Sequence, residues 1–137
     1  MTPKQIELVQ ASWRQVQPVA DHAAALFYTR LFHLDPSLRP LFRGDVEEQG
    51  RKLMAMIGFA VDGLWRLDRL RPGLRALGER HAAYGVRDEH YDTVASALLW
   101  TLQRGLGPVF DGETKAAWVA AYTALSSVMK DSAKVAA

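Results

Sequence analysis

The apolar residues of this chain recur at intervals of three and four positions, and this spacing limits the fold more than any other feature. Residues with this spacing share one face of an α-helix, whereas a half-buried strand alternates polar and apolar side chains. Proline and glycine separate the periodic segments, and strand signals are scarce. The pattern predicts one all-α domain over residues 1–137, with six or seven helices.

Local signals place the helix boundaries. Thr2, Pro3 and Gln5 are typical of an N-cap, a first helical residue and a capping-box partner, so a helix is expected to begin there. Asp111 can cap the last helix in the same way. The other helices are expected over about 19–34, 46–66, from after 72 to 85, and 88–106, with a short segment over 35–42 and a turn over 43–45.

Composition excludes several kinds of site and location. The chain lacks cysteine, which rules out disulfides, thiolate catalysis, zinc fingers and iron–sulfur clusters. No segment reaches the roughly 20 uninterrupted apolar residues that a membrane span requires. The first ten residues also lack the basic and then apolar layout of a secretory signal. We therefore expect a cytoplasmic protein without a membrane span.

The charge of the chain is small and unevenly distributed. The formal net charge is +2, which identifies no partner. Six arginines and two carboxylates lie between Arg66 and Arg87, so this segment carries an excess of positive charge, and a solvated helix face is the preferred interpretation. No helix shows clustered base-reading residues, and we expect no nucleic-acid partner.

His81 is the one histidine predicted on an apolar helix face, together with Leu74 and Leu77. The carbonyl of Leu77, one turn earlier, can accept the proton of one ring nitrogen and orient the other outward. A lone histidine is more often a satisfied core residue, and it cannot build a protein-only metal site. It can be the axial ligand of a haem, because the porphyrin supplies four nitrogens. The other histidines are predicted to be exposed (His22, His33) or in a capping or surface role (His90).

Five segments carry a resemblance to a known family that runs nearly end to end. Pro36 and Phe42, six positions apart, resemble the proline and phenylalanine at the C helix and the next corner of globins. The chain resembles single-domain bacterial globins, the globin domain of flavohaemoglobins and neuroglobin-like bacterial globins. The resemblance implies a three-over-three helical sandwich around haem b, with a short or absent D helix. The segments are LFYTRLF (26–32), DPSLRPLF (35–42), EQGRKLM (48–54), ERHAAYGV (79–86) and EHYDTV (89–94).

The resemblance also implies a haem site. His81 would be the proximal iron ligand, and Gln49 and Tyr28 would be distal donors to a diatomic ligand. Alternatives remain open: Tyr28 as a core tyrosine with a backbone partner, and Gln49 as a solvated residue at the pocket mouth. Lys52 could reach a haem propionate or could be plain surface. The other implied haem contacts are Phe42, Leu53, Ile57, Leu77, Val86, Tyr91 and Val94.

One departure from the flavohaemoglobin pattern bears on function. Where that family has a glutamate that polarises the proximal imidazole, this chain has Ala133, and Asp131 lies about 200° around the helix. This weakens the case for an oxygen-activating or peroxidase-like enzyme. Because the distal residue is Gln49, bis-histidine coordination through that position is unavailable, and a five-coordinate ferrous iron is expected.

Three functions follow from the resemblance. The first is reversible binding of O2, and also of CO and NO, for transport, storage or scavenging. The second is nitric oxide dioxygenase activity, which would need a separate reductase because the chain has only the haem half of a flavohaemoglobin. The third is a haem-free signalling domain with the globin fold. We expect a monomer or a weak homodimer.

Overall fold

The computed structural model describes residues 1–42 and 44–136, except for the side chains of 134–136. Within these residues the chain is helical and contains no strand, which confirms the all-α prediction. None of these helices is long and apolar enough to cross a membrane. The α-helices are α1 (Pro3–Val16), α2 (Ala20–Leu34), α3 (Val46–Asp62), α4 (Leu67–Ala83), α5 (Asp88–Leu106) and α6 (Gly112–Ala136). Short 3-10 helices span Gln17–Val19, Pro36–Leu41, Leu64–Arg66 and Gly107–Val109.

The predicted helix caps form at both ends of the chain. Thr2 Oγ1 accepts a hydrogen bond from the backbone N–H of Gln5 at 3.1 Å, and Gln5 Oε1 accepts one from the N–H of Thr2 at 3.0 Å. Asp111 Oδ1 accepts from the N–H of Thr114 at 2.8 Å, at the start of α6. These side chains satisfy N–H groups that the first helical turn leaves without partners.

Two predicted boundaries around the α3–α4 corner are wrong. The third helix ends at Asp62 and not at Arg66, because Gly63 caps it and bonds back to the carbonyls of Phe59 and Ala60. The fourth helix begins at Leu67, before Pro72, with Leu70 buried in its first turns. The turn predicted over 43–45 begins at Arg43, which lies outside the described residues.

The helices form two layers, with α1, α3 and α4 in one and α2, α5 and α6 in the other. Across the layers α4 and α1 pack closely on α6, and α3 packs on α2. In the described residues α3 and α4 do not pack closely on each other, although the 3-10 helix Leu64–Arg66 joins them. The two helices therefore border a gap on the second layer.

Two tryptophans join α1 and α6 at the centre of the core. The rings of Trp13 and Trp118 lie 6.0 Å apart between centroids, at an interplanar angle of 58°. Trp118 Nε1 donates to the buried Ser12 hydroxyl at 2.9 Å, so the indole nitrogen is satisfied away from water. Val9, Leu31 and Leu102 are the largest side chains that are fully buried around this contact.

The α4 and α6 backbones approach each other closely at Gly78. A Cβ added to Gly78 would overlap the carbonyl oxygen of Met129 and lie 2.7 Å from its Cα. Ser132 Oγ of α6 donates to the carbonyl of Arg75 at 2.8 Å, one turn before Gly78. The absence of a side chain at Gly78 thus sets the spacing of the two helices.

We predict that Gly78→Ala lowers the free energy of unfolding by about 1 to 3 kcal/mol, because backbone atoms of Met129 must move to accept the methyl group. Gly73→Ala, in the same helix, is the matched control. A Cβ at Gly73 meets nothing within 4 Å, and alanine favours the helix by about 0.5 to 1 kcal/mol. Urea unfolding measures both variants; equal changes in the two would contradict the close crossing.

Candidate functional site

An apolar cavity of about 200 Å³ fills the gap between α3 and α4 and is closed by α5 and α6. Its polar lining is limited to a few groups, chiefly His81, His90, Tyr91 and Tyr122. The residues of the second layer that close it are mostly aliphatic or aromatic. The lining comprises Phe27, Leu53, Met56, Ile57, Ala60, Val61, Leu64, Leu74, Leu77, His81, Val86, His90, Tyr91, Val94, Leu98, Trp118, Ala121, Tyr122, Leu125, Ser126 and Met129.

His81 stands on the α4 wall in the orientation expected from its spacing. Its Nδ1 lies 2.8 Å from the carbonyl oxygen of Leu77. Because a carbonyl can only accept, Nδ1 must carry the proton, and the lone pair of the neutral ring is then on Nε2. Burial lowers the pKa of the His81 imidazole, and the Arg80 charge adds to this effect. The site therefore holds a neutral imidazole with one nitrogen available as a metal ligand.

Tyr91 of α5 lies beside His81, with ring centroids 6.4 Å apart and an interplanar angle of 29°. The hydroxyl of Tyr122, on α6, donates to the Tyr91 carbonyl at 2.7 Å and fixes that turn of α5. The Tyr91 hydroxyl is itself buried and has no protein partner among the described residues. Burial raises the pKa of the Tyr91 phenol, and Asp88 raises it further, so the group is held protonated.

The α6 side of this arrangement carries a cation and no carboxylate. The ammonium of Lys130 lies 5.5 Å from the ring centroid of Tyr91, within cation–π range. Asp131 is exposed, and Ala133 occupies the position that was compared with the family's glutamate. The neighbour of Tyr91 on this helix is thus positively charged.

On the opposite wall, Leu53 and Ile57 of α3 face the cavity together with Met56. The other face of α3 is buried against the neighbouring helices through Gly50, Met54 and Gly58. Leu53 and Ile57, four positions apart, therefore belong to the cavity wall, and Gly50, Met54 and Gly58 form the packing face of α3.

The globin family model matches residues 25–129 of the chain. This chain belongs to the globin family.

Named relatives agree with this assignment over most of the chain. A neuroglobin from Danio rerio is 33% identical over 94% of this chain and 90% of its own length. A flavohemoprotein from Xylella fastidiosa is 29% identical over 95% of this chain, which corresponds to 33% of that longer protein.

Solved structures give the same fold. A bacterial globin from Campylobacter jejuni superposes with a TM-score of 0.86 at 26% identity, covering 98% of this chain and 97% of that one. An engineered carbene transferase, made from a provisional nitric oxide dioxygenase of Rhodothermus marinus, has a TM-score of 0.88 at 25% identity and covers 98% and 94% of the two chains. The predicted globin fold is confirmed.

The cavity residues fit the haem that globins bind. No cluster of three or more His, Asp or Glu in the described residues could hold a metal ion without other ligands. The cavity instead offers the His81 imidazole, whose Nε2 is available, among mostly apolar walls, which suits a group that brings its own four nitrogen ligands. The other lining histidine, His90, uses its Nδ1 to accept from the N–H of Arg87. Of the contacts implied by the globin resemblance, Leu53, Ile57, Leu77, His81, Val86, Tyr91 and Val94 line this cavity together.

Tyr28 and Phe42 lie next to the cavity of this globin and are not among its lining residues. Tyr28 is buried and packs edge-on against Phe42, with ring centroids 5.4 Å apart, and against Phe27, which does line the cavity. A Cβ built on Gly50 would lie 3.7 Å from Tyr28 Cε2, so the ring reaches the first turns of α3. Burial raises the pKa of Tyr28 to about 12.

The two polar residues proposed on α3 occupy its first turns. Gln49 is partly buried there, beside the Gly50 that contacts the Tyr28 ring. Lys52 is exposed, and its ammonium lies 3.8 Å from Glu48 one turn earlier. Neither residue lines the cavity in this structure.

Several cavity residues of this globin were not predicted. His90 was expected to cap a helix or lie at the surface; it accepts from the N–H of Arg87 at 2.9 Å, and it also lines the cavity. The α6 lining residues share one helix face through their spacing of three and four, and this spacing is the signal by which they could be found. Tyr84, three residues after His81, is 66% exposed, because α4 ends at Ala83. His22 and His33 are exposed as predicted.

Proposed function

We propose that this globin reversibly binds O2, and also CO and NO, at the five-coordinate ferrous iron of a haem b held by His81. The observation that carries the proposal is the hydrogen bond between His81 Nδ1 and the Leu77 carbonyl inside an apolar cavity. That bond selects the tautomer whose Nε2 can bind iron. When bound, the haem supplies an iron with one coordination position left for a diatomic ligand.

The residues around this position would exclude water and hold the group in place. Leu53 and Ile57 on α3 and Val86 and Val94 on the opposite side provide aliphatic walls. Apolar walls lower the local dielectric, which strengthens any hydrogen bond made within the pocket. Lys52 remains a candidate for a propionate contact, in competition with the Glu48 carboxylate that it now faces.

Tyr28 and Gln49 are proposed as distal hydrogen-bond donors. A diatomic ligand on ferrous haem gains partial negative charge, which a positioned donor stabilises. Support comes from their mutual position, since a Cβ built on Gly50, the residue after Gln49, would lie 3.7 Å from the Tyr28 ring. The raised pKa of Tyr28, about 12, keeps its phenol protonated and able to donate across the physiological range.

Absorption spectra in the ferric, ferrous and CO-bound states test the proximal assignment. We expect His81→Ala to lose the ferrous–CO spectrum of the parent protein, since the other histidine that lines the cavity, His90, already uses its Nδ1 lone pair to accept from the N–H of Arg87. His33→Ala, which removes an exposed histidine, is the control and should leave the spectra unchanged. A parent protein without a Soret band after haem addition would instead favour the haem-free signalling domain.

Oxygen dissociation rates test the distal donors. One hydrogen bond to a charged acceptor contributes about 1.5 to 3 kcal/mol, so we expect Tyr28→Phe to speed dissociation roughly 10- to 100-fold, and Gln49→Leu to speed it less. The Tyr28 effect should be equal at about pH 6 and pH 9, because the pKa of about 12 leaves the phenol protonated at both. Tyr84→Phe, at an exposed tyrosine, is the control. Unchanged rates in Tyr28→Phe would contradict the assignment.

Nitric oxide dioxygenase activity is the second candidate function. It is favoured by the likeness to the Rhodothermus marinus protein and to the flavohemoprotein, which is about three times as long as this chain. In that reaction one NO, one O2 and one electron give one nitrate, and the electron would come from a separate reductase. The Lys130 ammonium over the Tyr91 ring supports ligand binding as the first choice, because a carboxylate at that place on α6 would polarise the proximal imidazole. The carboxylate that raises the pKa of Tyr91, Asp88, lies on α5.

Mixing the O2-loaded ferrous protein with NO separates the two functions. We expect a single rapid oxidation and about one nitrate per haem, with little further nitrate when NADH and a flavoprotein reductase are present. Control mixtures lack either the reductase or O2. Nitrate in many-fold excess over protein would show sustained turnover and would favour the enzyme.

A further inference from the structure

Two large aromatic side chains stand in solvent at the corner between α3 and α4. Phe59 is 72% exposed and Trp65 is 51% exposed, and both line an open groove on the outer surface. The groove is separate from the haem cavity, with which it shares no lining residue. Exposed aromatic residues that cluster in this way are typical of protein interfaces.

Charges of both signs border the same groove. Asp62, Arg66 and Arg69 line it together with the two aromatic residues, and we call these five residues the corner patch. Asp62 and Arg66 are four positions apart, a spacing that permits an ion pair on a continuous helix. Gly63 ends α3 between them, and within the described residues none of the three charged groups has an ion pair.

We propose that the corner patch binds the corner patch of a second copy of this chain in a two-fold symmetric dimer. In such an interface the same residues meet from both sides, so Asp62 of one copy faces Arg66 and Arg69 of the other, twice. Each copy offers charges of both signs, so the two-fold arrangement pairs the Asp62 carboxylate of each copy with the guanidinium groups of the other, and the same surface also offers two exposed aromatic side chains.

The size of the patch limits the affinity. Two aromatic residues and three charged residues per copy bury less surface than the roughly 800 Å² per partner of a standard stable interface. The dimer therefore dissociates at micromolar concentrations. Because the interface lies outside the haem cavity, the proposal goes beyond ligand binding and does not depend on it.

Sedimentation velocity of the protein as purified, from about 1 to about 300 µM, tests the proposal. The expected result is a shift from the mass of one chain to that of two. Phe59→Ser removes exposed aromatic surface at the patch and raises the dissociation constant of the dimer at least about tenfold. Val119→Ser, which changes an exposed aliphatic residue of α6, is the matched control and leaves the association unchanged.

A charge-swap experiment tests the pairing itself. Asp62→Arg alone, and the double variant Arg66→Asp with Arg69→Asp, each place like charges opposite one another and are monomeric over the same range. An equimolar mixture of the two variants restores the opposite pairs, and a dimer of unlike chains forms. A single-chain mass at every concentration for the parent protein overturns the proposal, as does a dimer that Phe59→Ser leaves intact or a mixture that fails to associate.

Discussion

The contact between α4 and α6 is the interaction on which the rest of the structure depends. In the described residues α4 has no close packing with α3, so its position comes from α6 and from the 3-10 helix before it. Gly78 allows the two backbones to approach, and Ser132 ties α6 to the carbonyl of Arg75. His81 follows Gly78 by three residues, so the same crossing that joins the two layers also positions the imidazole. The gap between α3 and α4 stays open because α3 packs on α2 and α4 packs on α6.

Local features of the site could be predicted from the sequence because they depend on one helix at a time. The bond from His81 Nδ1 to the Leu77 carbonyl requires only a histidine in a helix whose apolar face is known, and the structure confirms it. The caps at Thr2 and Asp111 are equally local. Helical spacing likewise determines which of these side chains share a face within one helix. The globin resemblance, and not the spacing, implied that the six wall residues and His81 would meet in one cavity, where the structure places them.

Features that depend on where helices end, or on what faces them, could not be predicted. The period of three and four continues past Gly63 to Leu64, which lines the cavity, but the α-helix already ends at Asp62 because Gly63 caps it. Tyr84 continues the periodicity of His81 and yet lies beyond the last residue of α4. The aromatic packing of Tyr28 on Phe42 joins two segments that no local rule relates.

The charges beside Tyr91 and His81 bear on the chemistry of this side of the cavity. A carboxylate near Tyr91 would draw the imidazole proton and make His81 a stronger electron donor, which favours higher oxidation states of a bound iron. Here the Lys130 ammonium lies over the Tyr91 ring, and the proton of His81 goes to a neutral backbone carbonyl. A positive charge nearby stabilises the reduced, less positive iron relative to the oxidised one, and a neutral hydrogen-bond acceptor adds little donation. Both effects act in the same direction, and they support the proposal that the site retains a diatomic ligand over one in which it cleaves that ligand.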